Sequence, residues 1–74
     1  MTMERYKNLS GKSGILSFES GADHITVRFT GTDKTYTYSY RKAGSIHVEA
    51  MKRLAVEGRG LATYISRYVK DLYD

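Results

Sequence analysis

Between residues 33 and 41, Tyr36, Tyr38 and Tyr40 alternate with Thr35, Thr37, Ser39 and Arg41. An unbroken period of two belongs to a β-strand with one aromatic and one polar face; in a helix the same residues would spread around the whole surface. Such a strand needs partners for its backbone and a layer to cover its tyrosines. The rest of the chain is patterned to supply both.

Upstream, residues 14–20 form a candidate first strand, and residues 24–30 a second with Ile25, Val27 and Phe29 on one side and His24, Thr26 and Arg28 on the other. Gly21 and Gly31 sit in the short separators, as tight hairpins favour. A turn at Gly31 and Thr32 pairs Val27 with Tyr36 and Ile25 with Tyr38. A turn centred on Gly21 and Ala22 pairs Phe18 with Ile25, Leu16 with Val27 and Glu19 with His24. Both registers place Leu16, Phe18, Ile25, Val27, Phe29, Tyr36, Tyr38 and Tyr40 on one buried face, which a slip of one residue would split. The other face then carries Ile15, Ser17, Glu19, His24, Thr26, Arg28, Thr35, Thr37, Ser39 and Arg41, and should be wet.

Downstream the period changes. Ile46, Ala50, Met51, Leu54 and Ala55 recur at helical spacing over residues 45–57, with Ser45 as candidate cap, until Gly58, Arg59 and Gly60 interrupt. A second helix follows, with Leu61, Tyr64, Ile65, Tyr68, Val69 and Leu72 as its apolar stripe. The expected fold is α+β: a three-stranded antiparallel meander covered on one face by two C-terminal helices, in the order βββαα. Whether residues 1–13 add a fourth strand is left open, as is the packing of one helix on the other.

With 74 residues the chain makes one domain. A chain this short buries roughly 60% of its unfolded surface, so dimerisation is a reasonable expectation. There is no cysteine, hence no disulfide or thiolate chemistry. No apolar run nears the roughly 18 residues a membrane span needs, and no signal-peptide core follows Met1, so a soluble cytoplasmic protein is expected. The run Gly11, Lys12, Ser13, Gly14 touches the phosphate-loop pattern, but the required earlier glycine is Tyr6 and a strand follows where a helix is needed. It reads as a loop.

Twelve Lys and Arg against eight Asp and Glu give a net charge of +4, compatible with an anionic partner. Arg28, Thr37, Ser39 and Arg41 share the polar face, with Lys42 next to it and Arg59 between the helices; guanidinium, ammonium and hydroxyl groups all donate to phosphate oxygens. The tyrosines belong to the core side, with Tyr40 the one nearest exposure. His24 and His47 are isolated, without carboxylates or cysteines at ligand spacing, so neither metal nor cofactor is expected. No third group orients a base toward a serine, so no catalytic role is assigned.

The alternating strand of Ile25, Val27 and Phe29, the turn at Gly31, the pair Tyr36 and Tyr38, the helix end at Leu54 and Gly58, and Ile65 with Tyr68 together resemble the KTSC domain. That module is named for its place at the C-terminus of some bacterial lysyl-tRNA synthetases and also occurs as small free-standing bacterial and phage proteins. The resemblance covers residues 14–68. It implies a single small α+β domain and, through the synthetase, an association with RNA. This chain departs from the pattern with Arg41 and Lys42 in place of Val-Pro, with Val56 where a serine is usual, and with Gly60, Leu61 and Ala62 where Tyr-Phe-Asn is usual.

The sequence therefore leads to a small non-catalytic binding module with RNA as partner, contacted through Arg28, Thr37, Ser39, Arg41, Lys42 and Arg59. The alternative is a protein-interaction or homodimerisation module, or an accessory to a larger enzyme, using a free sheet edge or the apolar residues around Met51 and Tyr73.

Overall fold

The computed structural model of the protein describes residues 3–9, 11 and 14–74. Four antiparallel strands lie side by side in chain order: β1 (Glu4–Arg5), β2 (Ile15–Ser20), β3 (His24–Phe29) and β4 (Thr35–Ser39). Helix α1 (Ser45–Glu57) follows, then α2 (Leu61–Tyr64), which widens into a π-helical turn over Ile65–Val69. The order is ββββαα, so the N-terminal region does contribute a strand, although a short one. Of the loop expected at residues 10–13, Ser10, Lys12 and Ser13 lie outside the described residues; Gly11 closes a turn by donating to the Asn8 carbonyl at 2.9 Å.

The pairing of β3 with β4 follows the tyrosine alternation as expected: Ile25 opposes Tyr38, Thr26 opposes Thr37 and Val27 opposes Tyr36. The pairing of β2 with β3 does not. Phe18 faces Val27, Glu19 faces Thr26 and Ser20 faces Ile25. The turn is Ala22 and Asp23, closed by the Gly21 N–H donating to the His24 carbonyl at 2.9 Å. Moving a turn by one residue shifts the register by two, an even number, so Phe18 keeps its buried side.

Ile15 and Leu16 exchange the roles expected of them. A bulge between Ile15 and Ser17 inserts one extra residue against β3. Alternation breaks there, so Ile15 turns inward at 3% exposure and Leu16 outward at 36%. Glu19 is likewise not the partner of His24, whose ring instead lies 3.2 Å from the Asp23 carboxylate.

The helices pack on the face carrying Ile15, Phe18, Ile25, Val27 and Tyr38, and on each other. Helix α1 starts after Gly44, without a side-chain cap; Ser45 is its first helical residue. Its buried stripe is Val48, Met51 and Ala55, rotated from the one expected, which leaves Ile46 82% exposed in the first turn. In the last segment Leu61, Ile65 and Val69 point inward at a spacing of four. The widened turn makes that spacing favourable and carries Tyr68 off the stripe, to 54% exposure.

Gly58 joins the helices to the sheet. Its φ of 82° is the left-handed end of α1, and its N–H donates to the Leu54 carbonyl at 2.9 Å. Its own carbonyl accepts the Leu9 N–H at 2.7 Å, and a Cβ there would meet the Lys7 side chain at 2.6 Å. Tyr6, 3% exposed, accepts the Leu61 N–H on its hydroxyl at 3.4 Å. The segment after β1 is thus threaded between the helix junction and β2.

Leu61 is fully buried whereas Ile46 projects from α1. Leu61→Ala should lower unfolding free energy by about 2–5 kcal/mol, and Ile46→Ala by less than about 0.5 kcal/mol. Urea denaturation of both variants checks this; equal losses would contradict the rotated stripe.

Candidate functional site

The open face of the sheet starts from the odd-numbered residues of β4. The Tyr40 N–H donates to the Asp23 carbonyl at 2.9 Å, so the even-numbered residues bond to β3 and the odd-numbered ones turn their backbone groups to the free edge. β4 is an edge strand. Side chains of the odd-numbered residues stand on the face opposite the helices.

The candidate residues are not equally placed. Thr37 is half-buried and its hydroxyl lies 2.9 Å from that of Thr26, a cross-strand pair. Ser39 donates its hydroxyl to the Asp74 carboxylate at 2.8 Å and accepts the Lys42 N–H at 3.3 Å. Ser39, Arg41, Lys42 and Asp74 line one pocket where β4 ends. Arg41 and Lys42 are exposed, and neither side chain has an ionic partner within 4.0 Å among the described residues.

Arg28 is on the same face but at the other end of β4, opposite Thr35. Its guanidinium is engaged, donating to the Asp33 carboxylate at 3.0 Å and to the Thr32 carbonyl at 3.3 Å. Both members of the ion pair are well exposed, so the interaction is worth no more than about 1 kcal/mol. Arg59 is exposed beside Gly58, on the side of the molecule reached by residues 6–9 and β1, the opposite edge of the sheet from β4. The fold thus gathers Thr37, Ser39, Arg41 and Lys42, adds Arg28 one strand length away, and leaves Arg59 apart.

Three arrangements have no signal in the local sequence. The first is the segment after the π-helical turn: the Asp74 N–H donates to the Thr37 carbonyl at 2.7 Å, and Tyr73 sets its ring edge-on to Tyr36 and Tyr38, with centroids 4.9 Å and 6.3 Å away. The second is a clasp between β4 and α1, where the Tyr40 hydroxyl donates to Glu49 and Lys52 reaches both Glu49, at 3.1 Å, and the Gly21 carbonyl, at 2.6 Å. These bonds hold the Glu49 carboxyl below its ordinary range and the Tyr40 phenol above its own. The third joins the helices: the His47 ring stacks on Tyr68 and its Nδ1 lies 2.7 Å from the Tyr64 hydroxyl. Apart from the Glu49–Lys52 pair within α1, the contacts that define all three span nine to 37 residues, beyond the reach of any spacing rule.

Asp23, His24 and Ser39 have the residue types of a hydrolase triad, and His24 does oppose Ser39 across the sheet. The ring, however, leans over Gly21, on the β2 side, where a Cβ would overlap it. Ser39 directs its hydroxyl to Asp74 instead. Base and nucleophile are not joined. Met51, considered for a protein interface, is fully buried under the sheet, and Tyr73 is folded against Tyr36 and Tyr38.

Among the described residues no helix is long and apolar enough to cross a membrane, and no group of three His, Cys, Asp or Glu gathers to hold a metal. No family model, curated protein or solved structure matches the chain.

Burial pushes the Tyr38 phenol up to about 12, with Tyr36 and Tyr73 adding to the effect. The neutral phenol is the form that fits the fold, so its contribution to stability is complete below the ordinary value near 10 and is lost as pH rises toward 12. In a carbon-13 tyrosine titration the resonance absent from Tyr38→Phe should be displaced well above the rest; a midpoint near 10 would contradict the buried placement.

Proposed function

We propose that the protein is a small non-catalytic binding module for nucleic acid, single-stranded RNA in particular, gripped at the end of β4. The observation that carries this reading is the pocket of Ser39, Arg41, Lys42 and Asp74, where two exposed cations without ionic partners among the described residues stand beside a hydroxyl that Asp74 now engages. Phosphate contacts of this kind supply most of the affinity in sequence-independent recognition. Thr37 and Arg28 continue the polar surface along the sheet, and breaking the exposed pair of Arg28 with Asp33 costs little. Arg59, at the far edge, would meet only a strand long enough to pass around the domain. The net charge of +4 draws polyanions toward all of these groups. The resemblance to the KTSC domain, with its link to a tRNA synthetase, agrees with this choice of partner.

A protein-docking reading has in its favour the free edge of β4 and the exposure of Ile46 and Tyr68 on the helical side. Single exposed apolar side chains are common on monomers, which is why this reading stands second.

A nitrogen-15 titration with a short single-stranded RNA, at low and physiological salt, tests the first reading. Salt-sensitive shifts should cluster at Thr37, Ser39, Arg41 and Lys42. The double variant Arg41→Ala, Lys42→Ala should flatten the logarithmic salt dependence by roughly 0.7 for each phosphate it no longer neutralises. Absence of shifts even at low salt would overturn the reading. Self-association in light scattering, removed by Ile46→Ser, would favour the second.

A further inference from the structure

We infer that Tyr73 and Asp74 occupy the place of one nucleotide unit on the β4 edge and act as a built-in competitor for it. This rests on the nucleic-acid reading and adds to it where the base and the phosphate go and what keeps them out.

Three contacts hold the two residues there. The Asp74 carboxylate accepts the Ser39 hydroxyl at 2.8 Å inside the pocket shared with Arg41 and Lys42. The Asp74 N–H donates to the outward carbonyl of Thr37 at 2.7 Å. The Tyr73 ring stands edge-on to Tyr36 and Tyr38, closing a pocket of about 340 Å³ that Phe29, Ile65 and Lys70 also line. An anionic oxygen beside a hydroxyl and two cations, with an aromatic ring one unit away, spaces charge and ring as a phosphate and its base are spaced, the ring here meeting Tyr36 and Tyr38 edge-on rather than stacked.

The self-contact is made of separate, individually weak interactions: the exposed Ser39–Asp74 hydrogen bond, the Asp74 N–H bond to Thr37 and the edge-on contacts of Tyr73. The consequence for affinity is a matter of populations. A segment docked ~90% of the time lowers the apparent affinity of a ligand for the same groups about tenfold. Loss of the Asp74 carboxylate also removes a like charge from the path of an incoming phosphate.

The test compares wild type with Asp74→Ala, titrated with a short single-stranded RNA and, separately, with tripolyphosphate, which has the charge but no base. Expected for Asp74→Ala is RNA binding severalfold to tenfold tighter, with new shifts at Tyr36 and Tyr38 as well as at Ser39, Arg41 and Lys42. Tripolyphosphate should gain too, but leave Tyr36 and Tyr38 unmoved. If wild type binds RNA at Arg41 and Lys42 and Asp74→Ala binds it no better, the competitor is refuted while the nucleic-acid reading survives. A gain for tripolyphosphate with no RNA binding in either protein overturns the nucleotide assignment and that reading together.

Discussion

The inward commitment of Tyr38, 2% exposed and paired with the fully buried Ile25, decides what the rest of the sheet can present. Strand residues alternate, so with Tyr38 under the helices Thr37 and Ser39 are forced to the open face. The same ladder directs their backbone groups to the free edge. A β4 slipped by one residue would expose Tyr36 and Tyr38 and bury the hydroxyls of Thr35, Thr37 and Ser39. The cost of that exchange locks the polar face as firmly as it locks the core.

The helices can enforce this only because they are held at both ends. At one end the left-handed Gly58 turns α1 into the next element and receives the Leu9 N–H. At the other, Tyr40, Glu49 and Lys52 bind α1 to the end of β4 and to the turn after β2. Tyr6 therefore belongs to the core despite lying outside any regular element: it bonds to Leu16 on one side and Leu61 on the other. Nothing periodic marks Tyr6 for that position.

What was legible in the sequence was what repeats. The two-residue period located β3 and β4 and their register, and the glycine pair after Glu57 located the junction of the helices. Features that break a period were not legible. The bulge after Ile15 exchanges two neighbouring apolar residues, Ile15 and Leu16, that pattern alone treats alike. The π-helical turn rotates Tyr68 outward by adding a residue to a turn, which a fixed helical spacing cannot anticipate. The candidate site was half legible for the same reason. Thr37, Ser39, Arg41 and Lys42 are neighbours in the chain and remained so in space, whereas Asp74, 35 residues from Ser39, comes to them only through folding of the whole domain.

Proximity of Asp74 changes how the net charge of +4 should be understood. Charge is useful to a binding site where it is uncommitted, and the cations here differ in that respect. Arg28 is held by Asp33, and Lys52 is held by Glu49 and two carbonyls. Arg41 and Lys42 have no ionic partner among the described residues, yet share their pocket with a carboxylate that is tied to Ser39. At the ~8 Å Debye length of physiological salt, only charges this close act on one another strongly. The local field at the end of β4 is therefore set largely by Asp74, and on the proposed reading the distant lysines and arginines would serve encounter more than grip.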